Sequence, residues 1–140
     1  MMTQYKKLIS LRNKYPSTTA SCQNLVMLAM DLKRFKTHGH NTPFPLRNTA
    51  NERFVRALDE TVQSAALETG ETNPERLLKF LANFFSQFAL ALPNWHGVLD
   101  EIVDGLFKHC DGEHSMISHA LETSGRASIL PHSRAMEQHA

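Results

Sequence analysis

Between Pro74 and Cys110 the apolar residues recur three and four positions apart with little interruption, and this spacing constrains the fold more than any other feature of the chain. Leu77, Leu78, Phe80, Leu81, Phe84, Phe85 and Phe88 form one series. Trp95, Val98, Leu99, Ile102, Val103, Leu106, Phe107 and Cys110 form a second. A period near 3.6 places such residues on one face of an α-helix, whereas a strand needs a period of two. No segment shows sustained alternation of the strand type. The expected fold is therefore all-α, a compact bundle of five or six mostly antiparallel helices.

Local punctuation sets the other elements. A first helix is expected over 3–14, ended by Pro16, because the residue before a proline avoids the α region. Ser17, Thr18 and Thr19 offer caps for a second helix, expected over 20–36 with Cys22, Leu25, Val26, Leu28, Ala29, Leu32 and Phe35 inward. Residues 37–48 read as a loop, with Phe44 between Pro43 and Pro45 expected against the core. Thr49 to Glu52 has the form of a capping box, opening a third helix whose stripe is Phe54, Val55, Leu58, Val62 and Ala65 or Ala66. Gly70 should end it. Asn73-Pro74 is a capping residue followed by a proline at the first helical position, and opens the fourth helix. Asp111-Gly112 ends the fifth, and a sixth is expected over 113–123. Residues 1–125 then form one helical domain, the usual outcome for a chain of 140 residues. Residues 126–140 form a polar, loosely held tail.

Charge is divided unevenly along this framework. Residues 1–47 hold eight Lys/Arg and one acid, Asp31, a net charge of +7; residues 48–125 carry a net charge of −7. The overall +1 hides this division. Lys6, Lys7, Lys14, Lys33, Arg34 and Lys36 form a candidate basic patch. It suits nucleic-acid phosphates, or else it packs beside the acidic fifth helix or a second subunit's acidic face. A membrane partner is not expected: the stretch 77–92 is shorter than a bilayer span and contains Lys79, Asn83, Ser86 and Gln87. No cleavable leader is apparent, so a cytoplasmic protein is expected. A non-cleaved secretion signal is the alternative address.

Catalytic signatures are missing. There is no Gly-x-Ser-x-Gly elbow, no glycine-rich phosphate loop, no Cys-x-x-Cys and no His-Glu-x-x-His. The acid pairs Asp59-Glu60 and Asp100-Glu101 diverge on helix surfaces. Among eight histidines, His114 lies near Cys110, the one weak candidate for a metal-dependent enzyme, but the helix break between them spoils their register. No catalytic residue, cofactor or small-molecule substrate is expected. The fourth helix is apolar over too wide a face for a single contact. That width makes Phe80, Phe84, Phe85 and Phe88 the candidate interaction surface of a non-enzymatic, adaptor- or effector-like module binding a protein partner or a second copy of itself. The alternative is a small nucleic-acid-associated regulator using the basic third.

Overall fold

The computed structural model describes residues 2–37, 44–91, 96–110 and 115–123. Those residues form six packed helices with no strand among them. They are α1 Met2–Lys14, α2 Pro16–Thr37, α3 Phe44–Thr69, α4 Pro74–Ala91, α5 His96–Cys110 and α6 over 116–123. The all-α bundle is thus the fold. The tail at 126–140, the Asp111-Gly112 break and the Phe44 side chain lie outside the described residues.

Several helix ends follow their local chemistry. Asn73 Oδ1 accepts hydrogen bonds from the backbone N–H groups of Glu75 (2.9 Å) and Arg76 (3.2 Å), so Asn73 caps α4 and Pro74 needs no donor. Gly70 has φ 67° and its N–H donates to the Ala66 carbonyl at 3.1 Å. This is the left-handed stop that closes α3. Ser115 Oγ accepts from the Ser118 N–H at 3.2 Å and caps α6.

Two starts differ from expectation. α3 begins at Phe44, five residues before the capping box, because Pro45 falls in the first turn, where a missing N–H costs nothing. Glu52 is then inside the helix and accepts from the Asn48 amide at 3.2 Å. α2 begins at Pro16, ahead of the Ser-Thr-Thr run. Its cap comes from another helix: the Glu68 carboxylate of α3 accepts from the N–H groups of Ser17 (2.9 Å) and Thr18 (2.7 Å) and from the Thr18 hydroxyl (2.6 Å). A carboxylate at a helix N-terminus satisfies orphan donors and complements the helix dipole.

The same contacts orient the first pair. Glu68 meets Ser17 and Thr18, and Ser64 meets Ser21 one turn on. α2 and α3 therefore run antiparallel, and theirs is the most extensive helix contact in the molecule. Cys22, Leu25 and Ala29 pack there with Ala57, Leu58, Val62 and Ala65, all buried. The buried Thr61 hydroxyl donates to the Ala57 carbonyl at 2.8 Å, which removes an otherwise unpaired polar group. α4 lies against α1 and α5. α5 presses its buried line of Val98, Ile102, Leu106 and Cys110 into the core. Gly105 sits tight against α3: a Cβ there would stand 2.6 Å from the Phe54 ring. Phe107, expected inward, is 51% exposed. It lies about 200° round the helix from Gly105, so turning Gly105 inward turns Phe107 out.

Candidate interaction surface

The four phenylalanines of α4 do not form a surface. Phe84, Phe85 and Phe88 are buried within the chain and Phe80 is half-buried. This corrects the expectation drawn from the width of the stripe. The surplus face is covered from inside the molecule: Tyr15, at the junction of α1 and α2, meets Phe80 edge-on at 5.0 Å and Phe84 at 6.2 Å. Phe84 stacks on Phe88 at 6.0 Å and meets Phe85 edge-on at 6.4 Å. Such pairs add directional attraction to the burial of area. α4 is amphipathic: Arg76, Lys79, Asn83 and Ser86 face out while its wide apolar face is buried within the chain.

The basic residues divide into two groups. At the end of α2, Lys36 Nζ lies 2.6 Å from Glu101 Oε2 of α5, and Lys33 donates to the Gly97 carbonyl of α5. Arg34 pairs with Asp31 of its own helix at 3.1 Å. These residues join α2 to the start of α5. On α1, by contrast, Lys6, Lys7, Arg12 and Lys14 are exposed and the helix carries no acid. Only Lys14 of this group has a described partner, the Tyr15 ring, 5.5 Å from its ammonium. Lys6, Ile9, Ser10, Asn13 and Lys14 line a shallow depression of about 500 Å³.

Cys110 is buried, and its thiol is pushed up to about 12 by burial and then by the charge of Asp59. Such a thiol is a poor source of thiolate, the form that attacks or ligates. Burial pushes Cys22 up as well. His114 lies outside the described residues. Among the described residues no three His, Cys, Asp or Glu side chains are grouped to hold a metal ion. An open groove of about 680 Å³ between α3 and α6 is lined by Glu52, Val55, Arg56, Asp59, Met116 and His119, among others. Its charges are mixed. Its Ser115 hydroxyl is engaged with Ser118 rather than with a base. Among the described residues no helix is long and apolar enough to cross a membrane.

No protein-family model, curated protein or solved structure matches the chain.

The outward face of α2 is the surface that the sequence reading passed over. Met27 is 67% exposed and Met30 45% exposed. Ala20, Gln23 and Asn24 are exposed on the same side. The whole stretch from Pro16 to Met30 carries no charged residue. Adjoining apolar side chains left in water on one helix face are the kind of patch that marks a contact site. Methionine suits such sites because its flexible thioether adapts to the partner. The signal was legible: Met27 and Met30 fall off the Cys22–Leu25–Val26–Ala29 stripe, and the stretch has no Lys, Arg, Asp or Glu to solvate its outer face.

Proposed function

We propose that this protein is a non-enzymatic protein-interaction module whose contact surface is the outward face of α2. The observation that supports the reading is the exposure of Met27 and Met30 at the end of a stretch of α2, Pro16 to Met30, that carries no charge. Apolar area left in water at such a face is recovered when a partner covers it. The exposed methionines take no part in the core, so the surface can change without changing the fold. The test is affinity capture from lysate of the source organism, with and without nuclease, using the parent chain and a Met27→Glu/Met30→Glu variant. The expected result is a stoichiometric protein that survives nuclease, is lost in the variant, and is lost without change in helical content. A partner retained equally by both chains would move the contact elsewhere and overturn the reading.

A second reading has its own support in α1. Four exposed cations on one short helix without an acid suit the phosphates of a nucleic acid. The function would then be that of a small nucleic-acid-associated regulator. Lys33 and Lys36 are poor probes of it, because reversing them would also break the join to α5. Reversal at Lys6, Lys7 and Lys14 is the cleaner experiment. It should abolish retention on a nucleic-acid column, and in the parent that retention should fall steeply with salt.

A further inference from the structure

The fold does not neutralise the charge of α1. Lys6, Lys7, Arg12 and Lys14 are exposed, and among the described residues none of them lies in an ion pair. α1 packs chiefly on α2 and α4. Those two helices carry two acids, Asp31 and Glu75, against five cations. α3 and α5 hold seven acids between them, but neither is a main neighbour of α1. Asp31 is paired with Arg34. Glu68, the acid of α3 that reaches the junction of α1 and α2, is bonded to Ser17 and Thr18.

Three of the four cations share a face. Lys6, Lys7, Ser10, Asn13 and Lys14 fall within about 120° of the helix circumference, and all five are exposed. Arg12 falls outside that arc. Lys6, Ser10, Asn13 and Lys14 line the depression of about 500 Å³, with Ile9 half-buried in it. Lys6 and Lys14 are about 12 Å apart along the axis, which spans about three phosphates of one strand at about 3.4 Å each. Lysine, serine and asparagine are side chains that hold phosphate oxygens. Single strands, by contrast, are held largely by bases stacked on aromatic rings. The described ring beside this face, Tyr15, is packed edge-on against Phe80 and Phe84, with the Lys14 ammonium over it. Leu8 and Ile9 are half-buried and Leu11 is buried, so the face offers little apolar area to a lipid surface.

We propose that this face of α1 grips the sugar–phosphate backbone of a nucleic-acid duplex. Lys6, Lys7 and Lys14 meet successive phosphates, and the Ser10 hydroxyl and Asn13 amide donate to phosphate oxygens. This deepens the nucleic-acid reading of α1 and rests on it. A duplex is the favoured form because its phosphates are the denser array of charge and its bases need no ring to stack on. Arg12 takes no part, since it points away from the arc that the other residues share.

The experiment is fluorescence anisotropy of the intact chain with short duplexes of DNA and of RNA, with oligothymidine of the same length, and with phosphatidylserine vesicles. A duplex should bind more tightly than oligothymidine. Its affinity should fall about 40-fold over a fourfold rise in salt, as three neutralised phosphates require. Lys7→Gln should reduce that fall to about 12-fold, one phosphate fewer. Arg12→Gln, an equal loss of charge on the same helix, should leave it near 40-fold. Ser10→Ala and Asn13→Ala should each weaken binding roughly fivefold at every salt concentration, because a lost neutral donor releases no counterion. All four residues are exposed, and unchanged circular dichroism would confirm that the variants fold. An Arg12→Gln effect equal to that of Lys7→Gln would overturn the face and leave only diffuse charge. Tighter binding of oligothymidine would overturn the duplex and keep the nucleic-acid reading. Binding to vesicles alone, or to none of the probes, would end both.

Discussion

α4 and α2 each carry more apolar surface than one helix contact needs, and the fold treats them in opposite ways. On α4 the surplus is the more conspicuous, yet Phe84, Phe85 and Phe88 are wholly inside. On α2 the surplus is two methionines, and they remain outside. The difference is one of neighbours. α4 has Tyr15 and α1 on one side and α5 on another. α2 is held by α3 and α5 along its inner face, and Met27 and Met30 are left in solvent. A large apolar face is therefore no guide to an interface until its surroundings are known, and a small one can be the better candidate.

The contrast can be broken most severely at Phe85. Phe85→Asp buries a carboxylate among apolar side chains and should abolish the cooperative thermal transition seen by circular dichroism. Even Phe85→Ala should cost about 3–5 kcal/mol in denaturant unfolding. A Phe85→Asp chain that stays folded and only loses a partner would return α4 to the surface and reverse the comparison. Next in size is Gly105→Ala. The new methyl would run into the Phe54 ring, which must shift, and overpacking of this kind should cost about 1–3 kcal/mol.

Glu68→Ala tests how α2 is held. It removes the acceptor of three hydrogen bonds at the start of the helix. The expected loss is about 1–2 kcal/mol, with faster amide exchange at Ser17 and Thr18. The next effect is small and of opposite sign. The Thr19 hydroxyl is buried and, among the described residues, has no hydrogen-bond partner. Thr19→Val keeps the shape and removes the unpaired group, so the melting temperature should hold or rise. The smallest effect on stability is expected from Met27→Glu/Met30→Glu, within about 0.5 kcal/mol of the parent. Paired with loss of association, that near-silence is what separates a contact face from a core face. A loss comparable with that of Phe85→Ala would show that the methionines support the fold after all.

Helix existence and most helix ends were readable because their causes are local. The 3.6-residue period, Asn73-Pro74 and Gly70 act within one or two turns of the chain, and the structure places those boundaries where the residues imply. The starts of α2 and α3 were less readable. Proline in a first turn and proline after a last turn look alike in sequence. The acceptor that caps α2, Glu68, lies 50 residues away from Thr18.

The charged residues show the same limit. Lys6 and Lys7 resemble Lys33 and Lys36 as sequence, one a cation on an exposed helix and the other a cation on an exposed helix. The approach of α5 gives each of the second pair a partner. Periodicity states which residues share a face of a helix. Whether that face meets another helix or water depends on elements brought together from far along the chain. For that reason the helices of this protein were visible in its residues, while the burial of α4, the neutralised end of α2 and the open Met27–Met30 face were decided only by tertiary packing.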